Sequence, residues 1–279
     1  MKILVTGANG YLGQGIVKCI LDSGNEVIAT DLKVDRIDKG ARTMDCNLFE
    51  VKDPYQYFGK PDAVLHLAWR DGFIHYSNIH IDDLPKHFAF LKSLAEAGIA
   101  QIAVMGSMHE IGFFEGSINE NTPCHPTTPY GIGKNALRDL TQMLCKQRNI
   151  VFQWMRGYYI VGNSQYGSSI FSKITAAVNE GKKKFPFTLG QNQYDFIDYP
   201  NFCKQVAAVV SQKQEQGIIN ICSGRPEKLA DRVERFIKEN EYDIELEYGA
   251  FPDRPYDSKA IWGDSRKIEK ILETPGNYI

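Results

Sequence analysis

The first thirteen residues constrain this chain more than any other stretch. They run Lys2-Ile3-Leu4-Val5-Thr6 into Gly7-Ala8-Asn9-Gly10-Tyr11-Leu12-Gly13, and an amphipathic segment from Tyr11 to Leu21 follows. A short apolar strand thus enters a helix through a G-x-x-G-x-x-G loop. A turn this tight needs residues without Cβ. The same loop can bring its backbone close to a pyrophosphate, while the helix N-terminus offers free N–H groups and positive partial charge. Strand, glycine loop and helix together predict a βαβ mononucleotide unit. Asp31 lies 18 residues beyond Gly13, at the end of the next apolar run, Val27 to Thr30. A carboxylate there accepts hydrogen bonds from the adenosine ribose hydroxyls and repels a 2′-phosphate, so NAD is expected as cofactor. Lys33 and Arg36 lie close enough to offset that repulsion, and NADP stays open.

The rhythm continues. Ala63 to Leu67 precedes Leu84 to Ala97, Ile102 to Met105 precedes Tyr130 to Lys146, and Val151 to Met155 closes the series. Strands apolar throughout are buried on both faces, which implies a parallel sheet between helical layers. The fold class expected is α/β, a Rossmann-type doubly wound parallel sheet with a smaller C-terminal substrate-binding lobe. Residues 1–156 are assigned to the dinucleotide-binding part and 157–279 to the lobe, a segment that can also complete the sheet. Within it, Ile218 to Ile221 reads as a strand and Pro226 to Glu239 as a polar helix.

Charge and cysteine usage narrow the partners. Formal net charge is −2 over 279 residues, and the only basic run, Lys182-Lys183-Lys184, suits a solvated surface better than a phosphate backbone. No nucleic-acid partner is expected. No apolar run approaches the ~20 residues that span a bilayer, so no membrane association is expected. The six cysteines and six histidines show no metal-ligand spacing, and a reducing cytoplasm is the expected compartment.

Pro129-Tyr130-Gly131-Ile132-Gly133-Lys134 places Tyr130 and Lys134 at i and i+4, on one face of a helix. A nearby ammonium is expected to lower the phenol pKa toward neutrality, fitting it for general acid–base work. Ser107 follows the Ile102 to Gly106 strand at the carboxyl edge of the sheet, where doubly wound folds place ligands. Its hydroxyl is available to hold a carbonyl oxygen. His109 and Glu110 follow closely enough to reach a substrate, whereas His66, between Leu65 and Leu67, reads as a core histidine.

These residues, with Leu65-His66-Leu67-Ala68, Asp195-Phe196-Ile197-Asp198 and Asn220-Ile221-Cys222-Ser223-Gly224, resemble the extended short-chain dehydrogenase/reductases. The closest likeness is to the NAD-dependent epimerase/dehydratase branch that acts on nucleotide sugars, and within it to the bacterial deoxysugar 4-ketoreductases. The resemblance implies that Gly7, Gly10, Tyr11 and Leu12 line the pyrophosphate, Asp31 holds the ribose, and Asp45 and Cys46 flank the adenine. It places Leu67, Ala68 and Trp69 beside the nicotinamide, with Lys134 also on its ribose. Ser107, His109, Tyr159 and Arg254 would meet the nucleotide sugar, Arg254 at its diphosphate. Asp83, Tyr159 and Tyr194 depart from residues common in the branch. The implied activity is reduction of a 4-keto deoxysugar, with Tyr130 giving the proton. Epimerisation on a retained NAD uses the same residues and is an alternative, as is a non-catalytic dinucleotide sensor. Met108 and His109 stand where 4,6-dehydratases carry an acidic pair, which argues against dehydration. Leu137, Leu140, Met143 and Leu144 form an apolar stripe that would serve either a homodimer or the core.

Overall fold

The computed structural model describes residues 1–162, 169–252 and 258–274. Its centre is a seven-stranded parallel sheet: β1 (Lys2–Thr6), β2 (Glu26–Asp31), β3 (Arg42–Asp45), β4 (Ala63–His66), β5 (Gln101–Ser107), β6 (Val151–Gly157) and β7 (Gly217–Ile221), in the spatial order β7-β6-β5-β4-β1-β2-β3. Strand order reverses between β1 and β4, and a reversal of this kind opens a crevice at the carboxyl ends of the strands.

Alternation along the strands builds two cores. Ile3, Val5, Ala29 and Leu65 point to one face, against α1 (Tyr11–Asp22) and the helix Tyr199–Val210. Leu4, Ile28, Val64 and Val104 point to the other, against helices Leu84–Glu96 and Pro129–Arg148. Each of the larger side chains, Val, Leu and Ile, contributes ~1.5–3 kcal/mol on burial, and sandwiching between helical layers is what an all-apolar strand requires. The doubly wound sheet is therefore as expected.

Helix Pro129–Arg148 carries two of the candidate catalytic residues, and its ends are locally determined. Thr128 caps it by accepting from Gly131 N–H at 3.2 Å, Pro129 occupies the first turn, and Asn149 stops it in a left-handed conformation (φ 54°). Of the apolar stripe on this helix, Leu137 and Leu144 are buried in the core, whereas Met143 is exposed.

A second, smaller sheet is formed by Gly116–Ile118, Gln193–Asp198, Pro226–Lys228 and Ala260–Gly263, with Tyr159–Val161 alongside Phe196–Asp198. Helices Ile170–Asn179 and Leu229–Glu239 pack on it around Phe171, Phe196 and Phe236. The segment 157–279 contributes to both layers, because β7 joins the central sheet and helix Tyr199–Val210 covers α1. The helix read from Pro226 starts instead at Leu229. Pro226–Lys228 pairs with Gln193–Asp195, and the N–H groups of Leu229 and Ala230 donate to Asn192 and Gly190 carbonyls. β3, polar and mostly exposed at the sheet edge, gave no apolar signal. The three consecutive lysines each pair with a surface carboxylate, on Glu180, Asp243 and Glu247.

Candidate active site

The crevice at the switch point is a cleft of about 2150 Å³, running from Gly7–Gly13 and Asp31 past Leu67–Trp69 to Ser107, Tyr130 and Lys134, then to Tyr159. Drug-sized ligands occupy ~300–1,000 Å³, so the cleft has room for two large ligands end to end.

One end suits a dinucleotide. Gly7 has φ +70°, and a Cβ there would lie 2.7 Å from Ala68 N. A Cβ on Gly13 would lie 2.5 Å from the carbonyl oxygens of Gly7 and Ala8. These two glycines let the loop fold onto itself and onto β4. Gly10 is different: it caps α1 without a side chain, so the first-turn N–H groups face the cleft as an anion site. Asp31 is pinned by the Asn9 and Leu32 N–H groups, at 3.0 and 2.8 Å, and lines the cleft. Lys33 and Arg36 are exposed and do not line it, the Arg36 backbone being tied to Asn9. Neither of these two cations therefore stands beside the Asp31 carboxylate in the cleft lining, and the donor and acceptor set fits NAD. Tyr11 packs against Tyr199 with ring centroids 4.5 Å apart, and Leu12, Cys46, Leu67, Ala68 and Trp69 line the cleft. Asp45 is exposed and outside the lining.

The other end holds the reactive groups. Ser107 ends β5, its hydroxyl accepts from His109 N–H at 3.2 Å, and it lines the cleft together with Tyr130. Lys134 is buried. Its ammonium donates to the Met105 carbonyl at 2.8 Å and lies 3.9 Å from the centre of the Trp69 ring. Burial pushes Lys134 down to about 7, with the Glu110 charge opposing. Burial pushes Tyr130 up to about 12, partly offset by the Ser107 hydrogen bond and reinforced by Glu110. The expectation that Lys134 would bring the phenol toward neutrality is thus corrected: desolvation dominates, and the ammonium is directed at a carbonyl and an indole.

His109 and Glu110 part company. Glu110 is fully buried beneath the serine and accepts from Ser107 N–H at 2.6 Å and Trp154 Nε1–H at 2.8 Å, with Arg138 and Arg156 each 3.6 Å from its carboxylate. The expectation that it would face a substrate does not hold. A Cβ on Gly106 would lie 2.5 Å from that carboxylate, so the glycine makes the approach possible. His109 does line the cleft, with burial pushing it down to about 4. His66 is buried between Thr6 Oγ1 at 2.8 Å and His87 at 2.9 Å. Asp83 pairs with Arg70 and Lys86. Tyr159 lines the cleft and packs against Tyr194, with ring centroids 4.6 Å apart and tilted by 37°. Arg254 lies outside the described residues.

Sequence reasoning missed His75, His80 and His87, which with His66 and His109 place five of the six histidines around Tyr130, Trp69 and Lys134. Three of the six fall between positions 75 and 87, a density that was the available signal. Among the described residues no group of His, Cys, Asp and Glu side chains is arranged to hold a metal ion.

A glycine-loop doubly wound sheet with Ser, Tyr and Lys at its carboxyl edge defines a dinucleotide-dependent oxidoreductase site of the short-chain type. The chain belongs to the NAD dependent epimerase/dehydratase family, whose model matches residues 3–222. It is 40% identical over 269 residues to a dTDP-6-deoxy-L-talose 4-dehydrogenase (NAD(+)) of Aggregatibacter actinomycetemcomitans, covering 94% of this chain and 99% of that one. Its fold is shared with a UDP-N-acetylglucosamine 4-epimerase of Methanobrevibacter ruminantium (TM-score 0.80, 21% identity, 98% of this chain and 92% of that one). It is shared also with a UDP-glucose 4-epimerase of Thermus thermophilus solved with NAD (TM-score 0.80, 17% identity, 99% and 94%).

Proposed function

We propose that the chain reduces the 4-keto group of a nucleoside-diphosphate deoxysugar with NADH. The observation that carries the reading is that Ser107, Tyr130 and buried Lys134 line one cleft, which has room for a dinucleotide and a nucleotide sugar together. When bound, the nicotinamide supplies the hydride. Ser107 holds the keto oxygen, and Tyr130 donates its proton to that oxygen as it becomes an alkoxide. A phenol pushed up to about 12 is fully protonated at neutral pH, the form reduction needs. The positive charge of Lys134, over the Trp69 ring on which His87 stacks, offsets the phenolate that proton transfer leaves. His109 and Tyr159, and Arg254 by resemblance, serve the sugar nucleotide. The 40% identical 4-dehydrogenase supports this substrate class.

The test is to incubate purified protein with dTDP-4-keto-6-deoxyglucose, alone and with its 3,5-epimerase, following NADH and NADPH absorbance in parallel. Stoichiometric loss of NADH is expected. Tightly retained NAD with no net loss but interconversion of sugar epimers would instead indicate an epimerase, and dinucleotide binding without any turnover a sensor. Two coarser features belong to the same reading. Ile132, Ala136, Leu140 and Met143 fall within roughly 80° on helix Pro129–Arg148 at 3.6 residues per turn, and Ile132 and Met143 are exposed. This face supports a homodimer, which Met143→Glu should convert to monomer in light scattering. Six unpaired thiols suit a reducing cytoplasm.

A further inference from the structure

The phenol of Tyr130 is gripped by segments that the reaction as described leaves unused. His75 lies in the loop after β4, and its imidazole is parallel to the phenol ring, with centroids 4.9 Å apart and planes 8° from parallel. Its carbonyl oxygen also accepts the Tyr130 N–H at 3.0 Å. One residue therefore holds both the backbone and the ring of the proton donor. His80 and Trp69 meet the phenol edge-on, at 5.2 and 6.3 Å, and His109 packs beside both rings, 4.4 Å from His75 and 6.1 Å from the phenol.

The glycines that flank Tyr130 make this collar possible. A Cβ on Gly131 would lie 2.5 Å from the His109 carbonyl oxygen, and one on Gly133 would lie 2.8 Å from that of His80. Each glycine in Tyr130-Gly131-Ile132-Gly133 thus admits one histidine-bearing segment against the helix.

The loop presenting His75 is braced at both ends. The Asp71 carbonyl accepts from Ile74 N–H at 2.7 Å, and its carboxylate accepts from the Ser77 hydroxyl at 2.8 Å. The Ile74 carbonyl accepts from Ser77 N–H and from His80 Nε2, at 2.8 and 3.0 Å, while His80 Nδ1 lies 2.9 Å from Trp69 Nε1. The indole can only donate and the carbonyl only accept. His80 thereby accepts on Nδ1 and donates from Nε2, which ties Trp69, whose ring lies under Lys134, to the loop.

We propose that His75 is a positioning residue for the reaction: its flat ring sets the orientation of the Tyr130 phenol toward Ser107. The proposal rests on Tyr130 being the proton donor. A stack confines the ring to a plane, and a misplacement of about 1 Å in a reacting group can cost on the order of 100-fold in rate. The imidazole acts here through shape and planarity, so another flat ring can replace it and a branched aliphatic side chain cannot.

The test compares His75→Ala, His75→Leu and His75→Phe in the full chain, with steady-state reduction and a crystal structure of His75→Ala as separate readouts. For His75→Ala, kcat is expected to fall on the order of 10- to 100-fold with KM for the sugar and for NADH nearly unchanged. His75→Phe should recover most of that loss and His75→Leu little of it. In the crystal, the Tyr130 ring of His75→Ala should turn away from Ser107. An unturned ring, a His75→Ala kcat close to wild type, or equal rescue by Leu and Phe would each overturn the proposal. Tyr130→Phe run alongside separates the two ideas. If Tyr130→Phe stays active, the proton-donor reading fails whatever His75 does. If it is inactive while His75→Ala is not, the positioning role alone fails. Should His75→Ala not fold, the Leu and Phe pair and the crystal structure of His75→Leu carry the same decision.

Discussion

The two ends of the cleft are built by opposite means. At the dinucleotide end the working parts are backbone: Gly7 turned to φ +70°, Gly10 leaving an uncapped helix terminus, and a single carboxylate, Asp31, pinned by two neighbouring N–H groups. At the catalytic end the working parts are side chains held in a network of other side chains, most of them distant in sequence. Ser107 stands on buried Glu110, Glu110 on Trp154 and two arginines, Tyr130 on His75, and Lys134 over Trp69. Backbone recognition tolerates little change at a few glycines and much elsewhere. A network of buried polar side chains spreads its vulnerability over many residues and gains pKa shifts in return.

The sharpest break between the ends is Tyr130→Phe. It keeps the ring, its stack on His75 and the dinucleotide end, and removes only the hydroxyl that gives the proton. Turnover should fall ~10²- to 10⁴-fold with NADH affinity, measured by fluorescence titration, essentially retained. Parallel loss of binding would show that the two ends are not separable.

Glu110→Ala tests the network as structure. Removing one member of a buried ion cluster leaves Arg156, fully buried, without its carboxylate, at a cost of ~3–5 kcal/mol. A large drop in denaturant midpoint is expected. Glu110→Gln should be milder, because the amide oxygen can still accept from Ser107 N–H and Trp154 Nε1–H.

Gly7→Ala addresses the other end. A non-glycine residue at that φ costs ~1–3 kcal/mol, and its Cβ would press on Ala68 N at 2.7 Å. NADH affinity should weaken by roughly 10- to 100-fold. In the same variant, Tyr130 and its collar stay in place.

This contrast also explains what the sequence made legible. A glycine loop between a strand and a helix is a local pattern, so Gly7, Gly10 and Asp31 could be read directly, as could the i, i+4 pairing of Tyr130 with Lys134 and the strand-end position of Ser107. The surroundings of those groups arise from crossovers. Glu110 meets Trp154 across 44 positions, and His75 meets Tyr130 through a loop whose own sequence, Gly72-Phe73-Ile74-His75-Tyr76, carries no periodicity. The pKa of Tyr130 was misread for the same reason. Spacing shows that Lys134 is near, but burial, a property of the whole assembly, decides the direction. Leu137 and Leu144 share a stripe with Met143 in the sequence, and only packing against helix Leu84–Glu96 turns the first two inward.

The smallest effect is a pH dependence that belongs to one end of the cleft. Burial holds His109 down to about 4 from an ordinary 6.5, with His75 adding repulsion. A histidine depressed in the folded state binds fewer protons folded than unfolded, so acid favours the unfolded chain. The penalty is absent well above pH 6.5, grows as pH falls through 6.5 toward 4, and is constant below that. Lys134, depressed from 10.5 to about 7, follows the same rule higher up. Its penalty accumulates between pH 10.5 and 7 and is nearly complete below, so it adds little slope between pH 6 and 5. Tm should therefore fall on acidification across that interval, and His109→Asn should fall less, by a margin on the order of 2–4 °C for each kcal/mol removed. Taking the difference between the two proteins cancels the carboxylates and the other histidines common to both. Equal slopes would mean that the imidazole of His109 is solvated in the folded protein, and would loosen the collar around Tyr130 without touching the glycine loop.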